Sequence, residues 1–165
     1  MSQLDELYAF IKANLPERLM RTVGADAWMD DIELIHAAKD WGLDQRRVAI
    51  RKYTATLAWE RWPYREYDPD VLFALVMVWL ASRVNQHYDH LEFPAPSVFV
   101  ELMNDRDAII TIDVPLADNI IVTVSDEGII PIKDKRYVVA QPTVNVATAG
   151  WLVGTGSTAA PVVGK

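Results

Sequence analysis

One stretch, Asp68 to Val84 (DPDVLFALVMVWLASRV), restricts the fold more than any other. Between Val71 and Ala81 it carries no charge, and only Trp79 has a polar side-chain atom. The spacing predicts a helix that is apolar nearly all round, and such a helix belongs between other layers. Its start is well specified. Asp68 can accept hydrogen bonds from the free amides of the first turn, Pro69 suits the first helical position, and Asp70 complements the positive end of the helix dipole. A membrane span needs about 17 to 25 apolar residues, and this run stops at Ser82 and Arg83. It therefore reads as a core helix covered on most sides, with Trp79 buried between helix and sheet.

The segments around it supply the cover. Leu4, Leu7, Tyr8, Ile11 and Leu15 recur at helical spacing, with Ser2 and Asp5 placed as a capping pair. Pro16 interrupts that helix, and Glu17 to Val23 suits a further short turn ended by Gly24. Trp28 to Asp40 has a mixed pattern that reads as a strand through Ile32, Leu34 and His36 but tolerates a helix. From Arg47 to Trp62 the pattern is a clear strand, in which Tyr53, Ala55, Leu57 and Trp59 alternate with Thr54, Thr56, Ala58 and Glu60. After the central helix, NQHYDHLEFPAP reads as a loop leading into a strand over Val98 to Met103. Two alternating runs, AIITIDV and NIIVTVS, are separated by the turn-forming PLAD and predict an antiparallel hairpin. Ile110, Ile112 and Val114 would share one face, as would Ile120, Val122 and Val124.

The expected class is α+β: two helices packed on a mostly antiparallel sheet, with an extended C-terminal arm. With 165 residues, 51% of them hydrophobic, one domain with a real core is expected over residues 1–138. From Val139 to Lys165 the only charge is Lys165, and no helical period survives. Disordered segments usually carry more charge than this. The arm, 139–165, is therefore expected to be covered by a partner, with Trp151, Leu152 and Val153 as its contacts.

The formal charge of -7 disfavours binding to nucleic acid or to an anionic membrane surface. Arg46, Arg47, Arg51 and Lys52 form a local basic run that suits an acidic protein partner, or equally a solvated strand start. With no cysteine there is no disulfide framework and no thiolate chemistry. The N-terminal MSQLDELYAF has acids where a secretory signal would be basic, so cytoplasmic synthesis is expected. His87, Asp89 and His90 are close enough to suggest a metal, but no third or fourth ligand accompanies them. His36 reads as a strand histidine. Asp30, Asp31 and Glu33, and likewise Glu66, Asp68 and Asp70, read as solvated or helix-capping acids, since no nucleophile stands near them. GTGS at 154–157 has no lysine and no following helix, so it does not form a phosphate loop. The expectation is a chain with no cofactor, no metal and no catalytic set.

The run YTATLAWERWPYREYDPDVLFALVMVWLASRVNQ, together with DRDAIITIDVPLADNIIVTVSDEGIIPI and the N-terminal helix, resembles the tail completion protein R (GpR) family of P2-like contractile-tailed phages over roughly Leu4 to Ile132. The resemblance implies a structural virion protein of the tail and neck, assembled in the bacterial host cytoplasm and not an enzyme. It implies a homo-oligomeric ring, a hexamer, that caps the tail tube or sheath and joins it to the neck connector. It brings no catalytic residues with it. DNA would pass through such a ring without being read in sequence. The runner-up is a small acidic immunity or adaptor protein that binds one basic partner as a monomer.

Overall fold

The computed structural model describes residues 2–83 and 90–140. The expected capping pair starts the first helix, α1 (Gln3–Asn14). Ser2 Oγ accepts from the Asp5 amide at 3.2 Å, and the Asp5 carboxylate accepts from the Ser2 amide at 3.0 Å. The buried face of α1 is Leu4, Leu7 and Ile11, continued by Leu15 just beyond its end. Pro16 opens the single turn α2 (Glu17–Met20). Gly24 then adopts a φ of 64°, a left-handed backbone that turns the chain into the sheet.

The first two strands, β1 (Ala25–Gly42) and β2 (Gln45–Pro63), form one long hairpin. Its tip is a two-residue turn in which Leu43 and Asp44 have φ of 53° and 61°. Helix α3 (Asp70–Arg83) follows, then β3 (Ser97–Leu102), β4 (Asp107–Val124), β5 (Ile130–Ile132) and β6 (Lys135–Val139). The described strands form one sheet in the order β1-β2-β4-β6-β5, and β3 also pairs with β4. Every pairing is antiparallel. The α+β class expected from the sequence is the observed one.

The alternation read in β2 is also observed. Tyr53, Ala55, Leu57 and Trp59 are buried with Ile110, Ile112, Val114 and Leu116 of β4 under α1 and α3. Strict alternation would send Trp62 to the opposite face. A bulge between Trp59 and Trp62 turns it back into the core, where the two indoles meet edge to face at 6.4 Å and 78°. Trp62 Nε1 then donates to Tyr67 O at 2.8 Å, which fixes the loop that feeds α3.

Two expectations are corrected. AIITIDV and NIIVTVS do not form a hairpin: PLAD, Pro115 to Asp118, runs straight through the single strand β4. The reason lies in pairing. β2 is long enough to hold all of β4, from Asp107 opposite Pro63 to Thr123 opposite Gln45. Val124 donates its amide to Asp44 O on the β2 side, whereas Ala117 O accepts from the Gln3 side chain on the other. Odd-numbered residues of β4 thus direct their amide groups away from β2. The N–H that Pro115 lacks falls on that outer side, between β3, whose register ends opposite Asp113, and β6, whose register begins opposite Val122. Proline there removes no bond from the β2 ladder.

The second correction concerns α3. Asp68 starts it as expected, its Oδ1 accepting from the Asp70 amide at 2.9 Å, and Trp79 is buried with Leu72 and Val76. The helix is not covered on most sides, however. Val71, Ala74, Met77 and Val78 are exposed, because the sheet and α1 form a layer on one side of it only. An apolar helix here has one buried and one open face.

The last hairpin, β5–β6, was not anticipated, because its turn at Lys133 and Asp134 contains no glycine and Lys133 itself takes a φ of 55°. It is locked by a close backbone approach. A Cβ on Gly128 would lie 2.2 Å from Tyr137 O. Gly128→Ala is expected to cost about 2 kcal/mol by overpacking and to release β6 from β4. Faster hydrogen exchange at the Val138 and Ala140 amides, which face β4, with α1 unchanged, is the signature.

Candidate functional site

The basic run does not form one patch. Pairing places Arg46 and Arg51 on the helix-covered side of the sheet and Arg47 and Lys52 on the far side. Arg47 donates from Nε to Ala37 O at 2.9 Å and from Nη1 to Asn119 Oδ1 at 3.3 Å, with its guanidinium over Trp41. Lys52 lies over the Phe93 ring. There Leu91 and Phe93 cover a small second cluster built on Ile50 and Ala117. Alternation thus distributes four neighbouring cations two to each face of the sheet.

Arg51 instead belongs to a network that seats α1. Asp118 Oδ2 accepts from Arg51 Nη2 at 3.2 Å and from Tyr53 Oη at 2.7 Å, and Asp118 Oδ1 accepts from the Gln3 amide at 2.9 Å. Tyr53 Oη in turn accepts from the Leu4 amide at 3.2 Å. A carboxylate and a phenol oxygen thus take two first-turn amides, where the helix dipole favours negative charge. Burial, and then the Asp118 carboxylate, hold the Tyr53 hydroxyl far above the ordinary phenol range. Burial and Asp26 raise Tyr8 as well. A raised tyrosine pKa favours the fold while the unfolded tyrosine is still neutral. That contribution is complete below about pH 10 and is lost as pH climbs beyond it. The denaturation midpoint should therefore hold up to about pH 10 and fall progressively above it, and Tyr53→Phe should flatten that fall.

On the far face, Thr56 Oγ1 lies 3.1 Å from Asp30 Oδ2 and 3.0 Å from Asp113 Oδ1, and Trp28 Nε1 donates to Asp30 at 2.8 Å. This is cross-strand bonding, direct to Asp113, which stands opposite Thr56, and diagonal to Asp30, which stands opposite Thr54. Asp30 is thus a sheet-bonding residue. An open groove near α2 is lined by Arg18, Thr22, Arg61, Glu66, Tyr67 and Asp107, a mixed-charge set. Among the described residues no three His, Asp or Glu side chains converge as a metal site would require. His36 and His90 are exposed, while His87, Asp89, the 154–157 segment and Trp151, Leu152 and Val153 lie outside the described residues.

The surfaces that stand out are apolar and open, and the sequence reading passed over them. All six residues of β3 are exposed, with Phe99 at 61% and Leu102 at 65%. Met77 and Val78 do the same on α3, at 54% and 60%. A legible signal existed. In SVFVEL, Val98, Val100 and Leu102 share one face and Phe99 stands between Ser97 and Glu101 on the other, so each face carries a large apolar side chain. Exposed apolar patches rimmed by polar groups are where proteins meet partners. No helix among the described residues is long and apolar enough to cross a membrane.

These features define an antiparallel α+β protein with one-sided helices and an unprotected apolar edge. Residues 1–142 match the model of the P2 phage tail completion protein R (GpR) family, and the chain belongs to that family. It is therefore a structural protein of a phage tail. No curated protein and no solved structure matches the chain.

Proposed function

We propose that the chain completes the tail as a closed homo-oligomeric ring, a hexamer, that caps the tube or sheath and connects it to the neck. The observation that carries this reading is the pair of unlike apolar surfaces, the β3 edge and the outer face of α3, on a member of a tail completion family. Ring subunits meet through two different patches, since a patch that met its own copy would stop at a dimer. The charge of -7 suits a ring around a DNA passage, because an acidic wall repels the duplex and lets it slide. The partners are tube, sheath and connector proteins, and the ring assembles in the host cytoplasm before it enters the virion. The arm from Val139, with Trp151, Leu152 and Val153, contributes to assembly. The test is a phage lacking the gene for this chain. Electron microscopy of its lysate should show heads and unfinished tails that remain apart, and supplying the full-length chain should restore joined particles. Normal virions formed without the chain would contradict the proposal.

A further inference from the structure

The free edge of β3 is unusual in what it lacks. Edge strands are ordinarily protected by charges, prolines, bulges or a covering element, because their unpaired N–H and C=O groups template further pairing. β3 pairs with β4 in unbroken register from Ser97 opposite Asp113 to Leu102 opposite Ala108, with no bulge, and Glu101 is its only charge. Among the described residues nothing pairs with its outer edge. This is an acceptor for an added strand.

The same chain contains a donor. Residues 141–164 carry no charge and include alternating Thr143, Val144, Asn145 and Val146, followed by Trp151, Leu152 and Val153. We propose that the segment 141–165 of one copy adds as a strand to the β3 edge of a neighbouring copy. The inference rests on the ring reading above and specifies its subunit contact.

Three observations favour a neighbour's edge. The chain leaves the described fold at Ala140, whose amide bonds Ile121 O on the outer side of β4. Straight continuation would carry it along β4 toward Ala117, but the Ala117 carbonyl is already taken by the Gln3 side chain at the start of α1. The direct path along its own β4 is thus blocked. Reach is ample, since 25 residues span about 85 Å when extended. Charge points the same way. Two subunits of -7 repel when their acidic faces meet, whereas an uncharged strand on an edge with one acid brings few like charges together. Donor and acceptor are different surfaces of one chain, so each copy gives to the next, a head-to-tail relation that can close into a ring. In such β-augmentation the main chain supplies affinity and alternate side chains supply register.

The test uses full-length protein in two isotopic forms. The heavy form has benzoyl-phenylalanine in place of Phe99, an exposed position on β3. The light form is unmodified. After mixing and irradiation, the expected adduct joins the heavy Phe99 position to a light peptide from 141–165. A second variant, Phe99→Lys, should weaken association about tenfold or more by placing a cation where an apolar contact forms, with an unchanged thermal midpoint for the dissociated chain. Heavy-to-heavy adducts within one monomer would show the arm on its own edge and overturn the proposal. Adducts joining β3 to β3, or rings of full mass that give no arm adduct, would also overturn it while leaving the ring intact. A chain monomeric in every sample would remove the ring reading itself.

Discussion

Trp79→Ala is expected to lower the unfolding free energy by about 3 to 5 kcal/mol, the usual range for removing a large aromatic from a packed core. Trp79 is 3% exposed and belongs to the cluster that joins α1, α3 and the sheet, so its loss leaves a cavity bordered by β-strand side chains that cannot collapse into it. Domains of this size are stable by about 5 to 15 kcal/mol, so the variant sits near the limit of folding. The neighbouring substitutions Met77→Ala and Val78→Ala are the matched comparison. Both residues lie on the open face of α3, and each change should stay within about 0.5 kcal/mol in the dissociated chain. Urea titration of the three variants checks both statements. Equal costs at positions 77 and 79 would mean that α3 is covered on both sides after all.

Asp118→Ala should cost about 3 kcal/mol, because it removes the acceptor shared by the Tyr53 hydroxyl and the Gln3 amide and leaves the Arg51 cation half-buried without its ion-pair partner. The Arg51 side chain is 30% exposed, and solvent relieves part of that penalty. Asp118→Asn keeps an acceptor in place and should cost less, about 1 kcal/mol. The effect should be local before it is global. Hydrogen exchange at Gln3 and Leu4 should accelerate first, since Asp118 and Tyr53 hold those amides. Unchanged protection of α1 in Asp118→Ala would mean that apolar packing alone seats the helix.

Local chemistry was readable wherever it was left to act alone. The Ser2–Asp5 capping box, the Asp68 start of α3 and the alternation from Tyr53 to Trp59 follow from side chains interacting with their own backbone or with one continuous core face. The misreadings came where a distant partner overrode a local preference. Pro115 and Asp118 favour turns, yet a nineteen-residue β2 alongside holds them extended. Trp62 is returned to the core by a bulge that composition does not announce. The sequence of α3 is apolar on every side, which predicts enclosure, whereas the fold covers one face of it only. As for the candidate site, the basic run was visible as composition but not as geometry, since alternation and bulges in β2 decide which face each cation takes. The strand at β3 was legible in SVFVEL, but its free edge was not, since pairing with β4 on one side only is set by residues far away in the chain.

The ring is the central claim, and the native mass of the full-length chain tests it most directly. At 18.6 kDa per chain, a closed hexamer has a mass of about 112 kDa. The account predicts that species, falling toward monomer when Phe99 is changed to Lys. A full-length protein that stays at 18.6 kDa at all concentrations, alone and when recovered from assembled tails, would contradict it.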